Sequence, residues 1–136
     1  MEHLKNNNGF TIVETIVVVI IVGVLAALTI PNYTFIFEKT KSAEGLQILE
    51  SIRKAQWGYY YEHGNIFTGD LDDLDISIPT PEHFDPISDA TILAAASPSD
   101  DVATITRVNG LYTLNITADG DITCSAAGDT CSKIGF

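Results

Sequence analysis

Gly9 to Pro31 reads GFTIVETIVVVIIVGVLAALTIP, and Glu14 is its only ionisable side chain. From Phe10 to Ile30 there are 14 Phe, Ile, Val or Leu residues, so insertion into a bilayer gains about 4 to 8 kcal/mol at roughly 0.3 to 0.6 kcal/mol each. One carboxylate near the end of the stretch costs at most about 3 kcal/mol on the same scale. The balance favours a membrane helix of spanning length. Val17 to Val22 is β-branched and a poor helix former in water, but lipid offers the backbone no partner except its own carbonyls.

A secretory signal peptide needs a positive start, a short apolar core and small residues at a cleavage site after that core. Here the apolar run is long and is followed by Pro31, Asn32 and Tyr33. A plain membrane anchor accounts for the hydrophobicity but not for an acid four residues after Phe10. The sequence Gly9-Phe10-Thr11-Ile12-Val13-Glu14 followed by an unbroken apolar run resembles the prepilin signature shared by type IV pilins and the pseudopilins of type II secretion. That resemblance implies that a prepilin peptidase cuts between Gly9 and Phe10 on the cytoplasmic side. Phe10 becomes the N-methylated first residue, and the helix stays on the protein. Gly23 and Pro31 fall where many pilins carry a helix-loosening Gly and Pro.

Cleavage would expose an α-amino group on Phe10, one helical turn from the Glu14 carboxylate. An unpaired ion in a dry helix bundle costs several kcal/mol. In a staggered stack, Glu14 of one chain would meet the Phe10 amine of its neighbour, and the pair would select register. The ordinary alternative is that Glu14 snorkels to the headgroups. Gly23 and Pro31 likewise have two readings. Gly costs about 1 kcal/mol in a helix and Pro removes a ladder hydrogen bond, so the segment between them is loosened; or Gly23 simply lets helices approach closely.

With Met1 to Gly9 as leader and residues 10–31 as the transmembrane and assembly helix, residues 32–136 form one small periplasmic or extracellular domain. The chain carries seven Lys and Arg against 18 Asp and Glu, a net charge of −11. Glu2 and Lys5 cancel within the leader. So few bases build no evident phosphate-neutralising face, and nucleic-acid binding by the globular surface is not expected. Lys39, Lys41, Arg53 and Lys54 follow the apolar stretch, whereas Lys5 precedes it, against the usual cytoplasmic excess of positive charge. A cytoplasmic leader therefore rests on the resemblance and on the cysteines.

Beyond Pro31 the spacing predicts continued helix to between Tyr61 and Gly64. Tyr33, Ile36, Phe37, Ala43, Leu46, Leu49, Ile52, Gln56 and Tyr59 fall mainly three and four residues apart as an apolar stripe. Trp57, Tyr59, Tyr60 and Tyr61 read as packing aromatics. From Asn65 to Ser88 the periodicity lapses in a segment that resembles the αβ-loop of pilins. Its acids Asp70, Asp72, Asp73 and Asp75 read as a solvated run. Ca²⁺ takes six to eight oxygen ligands, but the run lacks the EF-hand pattern, and no metal or other cofactor is expected.

Val102 to Thr117 contains Asn109-Gly110 between two β-rich runs, a hairpin signal. A two-residue turn sets Val108 opposite Leu111, Arg107 opposite Tyr112, Ile105 opposite Leu114 and Ala103 opposite Ile116. Ala103, Ile105, Tyr112, Leu114 and Ile116 then share one face. Thr91 to Ala96 is expected as a strand before this hairpin and Asp121 to Ser125 as one after it. A two-residue turn at Asp119-Gly120 would put Ile122 on the outer face, so that register stays open. Cys124 and Cys131, the only cysteines, close a short polar loop worth about 2.5 kcal/mol if paired, and pairing implies an oxidising compartment. A C-terminal disulfide loop is frequent in pilins and less so in major pseudopilins. No catalytic constellation is present: His63 and His83 fall in loops, and there is no nucleophile or phosphate-cradling motif.

The expected fold is α+β, of the pilin kind: a long N-terminal helix, its first half transmembrane, packed on a C-terminal antiparallel sheet of three or four strands. The expected function is a non-enzymatic major subunit of a type IV pilus, with a type II secretion pseudopilin as the alternative. A monomeric membrane-anchored binding module is the alternative of another class. The resemblance implies as partners a prepilin peptidase, an inner-membrane assembly platform, membrane lipid before assembly, and further copies in a helical filament. It places the precursor in the inner membrane and the assembled chain at the cell surface.

Overall fold

Helix α1 takes Ile12–Glu62, the apolar stretch and the amphipathic one in a single run of helical backbone. A computed structural model describes residues 9–136, without the side chains of 29–32. The expected leader therefore lies, but for Gly9, outside the described residues, as does the side chain of Pro31. The chain divides into two compact units, Met1–Thr34 and Phe35–Phe136. In the first unit, apolar side chains stand exposed along the whole described helix, Ile16 to Leu25 among them. Among the described residues no single helix is long and apolar enough to cross a membrane; Ile12–Leu28 and Tyr33–Glu62 meet that length and composition only as a pair.

In the second unit, α1 ends where Gly64 and Asn65 turn to positive φ and the Asn65 N–H reaches back to Tyr60 O at 2.9 Å. This is the left-handed stop that glycine makes easy. The sheet is antiparallel, in the order β1 (Asp101–Thr106), β2 (Tyr112–Thr117), β3 (Ile122–Ala126). Ala103 opposes Ile116 and Ile105 opposes Leu114, as the sequence predicts. Ala103, Ile105, Tyr112, Leu114 and Ile116 are all buried. On the other face Thr104 donates to Asn115 at 2.6 Å and Thr106 pairs with Thr113 at 3.1 Å, the cross-strand contacts that stabilise a solvated face.

Three expectations are corrected. The hairpin loop has four residues, because pairing ends at Arg107 and Tyr112. The Val108 N–H instead donates to His83 O, and the Gly110 N–H closes the turn on Arg107 O. Loops of two and four residues give the same register, so the facing pairs survive from Arg107 and Tyr112 inward, while Val108 and Leu111 fall in the loop. Thr91 to Ala96 is not a strand: Asp89–Thr91 is a 3₁₀ turn, and only Ile92 bridges to Ala103. The small residues Ala94 to Ala96 then lead into a turn closed by Asp100 N–H on Ser97 O. The first part of the helix stripe is the third correction. Leu49, Ile52 and Gln56 are buried and Leu46 and Tyr59 pack half-buried on the core, as the sequence predicts, whereas Ile36, Phe37 and Ala43 are exposed. Ser42, Gly45 and Ile48 are buried in their place, and the Phe84 ring seats on Gly45, where a Cβ would lie 2.6 Å from Phe84 Cζ.

The open register resolves inward. Thr117 N–H bonds Asp121 O and Gly120, at φ +102°, bonds back to Thr117 O, which makes a three-residue loop, and Ile122 faces Ile116. Buried Gln56 fastens the long connection. Its amide donates to Thr68 O at 2.8 Å and accepts the Thr68 N–H at 3.1 Å. Trp57 Nε1 donates to Ala118 O at 2.8 Å, fixing the β2–β3 loop on the helix. Cys124 and Cys131 are bonded, with Cα atoms 5.8 Å apart. The bond draws the short helix α2 (Thr130–Ile134) against β3, and Ile134 is buried.

Candidate processing and assembly site

Gly9 and Phe10 precede the helix and are exposed, Phe10 to 89%. Thr11 is the N-cap of α1. Its Oγ1 accepts the Glu14 N–H at 3.2 Å, while one Glu14 carboxylate oxygen accepts the Thr11 N–H at 3.1 Å and the Thr11 hydroxyl at 3.0 Å. These reciprocal bonds form a capping box, which satisfies two of the donors that a helix start leaves open. The box was spelled in the sequence as Thr-x-x-Glu. It supplies Glu14 with a role inside its own chain, beside the two weighed from sequence.

Phe10, Glu14, Thr15, Val18 and Val19 line one shallow groove, almost wholly apolar. A carboxylate is thus placed at the edge of a greasy strip. A Cβ on Gly23 would meet nothing within 4 Å, so nothing in the described part of the chain requires glycine there.

Other charged groups are paired within the globular unit. Arg107 grips Glu38 through Nε at 3.0 Å and Nη2 at 3.3 Å, and its Nη1 donates to His83 O. Lys41 adds a bond to Glu38 at 2.8 Å. The Arg107 guanidinium holds the Glu38 carboxyl below the usual carboxylate range against the opposing effect of burial. Glu44 binds His83 Nδ1 at 2.8 Å and the Glu82 N–H at 2.7 Å. Burial pushes its carboxyl up, but these bonds outweigh it and the net shift is downward. Tyr112 meets Phe84 edge-on at 6.0 Å, and burial, with Glu38 nearby, pushes its hydroxyl up to about 12.

Among the acids of the loop, Asp73 accepts the Thr68 hydroxyl at 2.7 Å and Asp70 the Asp72 N–H at 2.9 Å. Among the described residues, no three His, Cys, Asp or Glu side chains gather closely enough to hold a metal ion. Trp57 stacks on Tyr61 at 5.5 Å and meets Tyr60 edge-on at 5.1 Å, and Tyr60 stacks on Phe67 at 4.6 Å. The aromatics thus close the end of the core.

Residues 4–30 match the family described as the prokaryotic N-terminal methylation motif. The type IV major pilin protein PilA of Myxococcus xanthus is 38% identical over 56 residues, which cover 41% of this chain and 26% of that protein. PilE1 of Neisseria gonorrhoeae, also a type IV major pilin protein, is 29% identical over 117 residues, 82% of this chain and 45% of that protein. The type IV major fimbrial protein FimA of Dichelobacter nodosus is 38% identical over 45 residues, 33% of this chain and 28% of that protein. The chain spans less than half the length of these curated relatives. No solved structure matches it.

Proposed function

We propose, on the premise that this chain belongs to the type IV pilin family, that it is the major subunit of a type IV pilus, held in the membrane by residues 10–31 until it is packed into a filament. The observation that carries this reading is the exposed apolar helix directly behind Gly9–Glu14, on a chain whose other unit has a complete core of its own. Apolar side chains along a full helix face need lipid or other helices around them. A filament core supplies the second once the bilayer no longer supplies the first.

In this scheme the peptidase cuts between Gly9 and Phe10, and Phe10 is methylated. The Thr11–Glu14 box remains on the mature chain and holds the first turn. Glu14, at the rim of its apolar groove, receives the Phe10 amine of a neighbouring subunit. Gly23 and Pro31 mark the segment that changes on packing. The role is structural, not catalytic. The disulfide between Cys124 and Cys131 fits an oxidising compartment and supports the pilus over a secretion pseudopilus.

The test is the intact mass, without reduction, of the chain in filaments sheared from cells and in the membranes left behind. A sheared species beginning at Phe10, one methyl heavier and two hydrogens lighter, is the expected result. Processed chain found only in membranes would favour the pseudopilin. A chain retaining residues 1–9 throughout would overturn the prepilin reading.

A further inference from the structure

The unit Phe35–Phe136 carries ten more acids than bases, yet most of its bases lie at one end. Lys133 Nζ sits 4.7 Å over the Phe35 ring. Lys39, one helical turn beyond Phe35, brings its Nζ to 3.6 Å from where a Cβ on Gly135 would stand. Phe35, Lys39, Lys133 and Gly135 therefore form one patch, and Ile36 beside it is 61% exposed. The acids there are already engaged. Glu38 is shared by Arg107 and Lys41, which leaves one positive charge over, and Asp129 is paired with Lys133 at 2.8 Å. Lys39 has no ion-pair partner among the described residues and adds a second net charge.

Chain continuity says what lies beside this patch. Four peptide steps separate Pro31 from Phe35, so on any backbone path their Cα atoms are within about 14 Å. With residues 10–31 in the hydrocarbon layer, a reading on which this inference rests, Phe35 falls in or just above the headgroup layer, which is about 5 to 8 Å thick. Where Phe35 lies in that layer, Lys39, about 6 Å further along α1 at 1.5 Å per residue, is within a Debye length of the phosphates, about 8 to 10 Å at physiological salt. Lysines at such a boundary lay their stems along apolar surface, here Phe35 and Ile36, and reach their amines to the headgroups.

We propose that the patch of Phe35, Ile36, Lys39 and Lys133 docks the globular unit on the phosphate headgroups of an anionic bilayer while the subunit waits in the membrane. Contact with phosphate holds the membrane-proximal end of an otherwise acidic unit against a surface that repels the rest of it.

The test reconstitutes the full chain into vesicles of phosphatidylcholine and into vesicles of equal parts phosphatidylcholine and phosphatidylglycerol. A membrane-impermeant acylating reagent is applied, and mass spectrometry compares labelling of Lys39 and Lys133 with that of exposed Lys54, on the same unit. Anionic lipid is expected to lower the Lys39 and Lys133 ratios by about fivefold. Unchanged ratios would overturn the docking. So would protection that follows protein density instead of lipid charge, which would assign the patch to a second copy of the chain. Flotation in alkaline carbonate distinguishes the two failures. Chain that leaves the vesicles defeats the membrane reading itself, whereas chain that stays with unchanged labelling defeats only the docking.

Discussion

Gly45 carries no charge and no hydrogen-bonding side chain, yet the seat of the Phe84 ring depends on it. Gly45→Ala would gain about 1 kcal/mol of helix propensity but force a buried ring to move, at about 1 to 3 kcal/mol. A net loss of about 1 kcal/mol is expected in urea unfolding of the detergent-solubilised chain, with part of it recovered by Phe84→Leu. Glu38 is the residue for a pH experiment. Its folded pKa is depressed by Arg107, so its contribution is present above the unfolded value of about 4.3 and is lost as pH falls through that value towards the folded one. Glu38→Gln should flatten the acid limb of the melting temperature against pH. At neutral pH it should cost about 3 kcal/mol, because Arg107, 10% exposed, loses its partner. Neither residue was legible in the sequence, since each acts through a contact with a loop or turn that has no periodicity of its own. Gly9, Phe10 and Glu14 lie in a linear pattern, the N-terminal methylation motif that residues 4–30 match, and such a pattern can be read without the fold.

Helix α1 and the hairpin show which elements a sequence can specify. Period and turn residues predicted the helix to its last turn and set the facing pairs of β1 and β2, because side-chain alternation and even loop length depend on neighbours in the chain. The stripe on α1 holds from Leu46 onward and fails before it, because the burial of Gly45 in place of Ala43 depends on Phe84, which arrives from the distant loop. Ile122 could not be assigned because an odd or even loop at Asp119-Gly120 reverses it. At the start of α1 the capping box and the intersubunit charge can be separated. Glu14→Gln keeps the reciprocal bonds and removes the charge, whereas Glu14→Val removes both and loosens the first turn by about 1 kcal/mol. Both variants are expected to insert and be cleaved normally and to yield no sheared filaments. Faster amide exchange in the first turn is expected for Glu14→Val alone. Filaments from Glu14→Gln would show that the cap, not the charge, is what assembly needs.

For the molecule as a whole, the charge of −11 and the sequence pI of about 4.3 would govern how chains meet in the proposed filaments. Like-charged acidic surfaces keep filaments apart at neutral pH and low salt. Sheared filaments are therefore expected to stay dispersed at pH 7 and to bundle reversibly as pH approaches about 4.3, which light scattering would follow. Dispersal unchanged at that pH would mean that the exposed acids do not set filament spacing. The same molecule carries its own optical gauge. Trp57 is its only tryptophan, and its indole N–H is bonded to Ala118 O where helix meets sheet. Intrinsic fluorescence thus reports the coming apart of that seam, while the apolar helix remains dark to the same lamp.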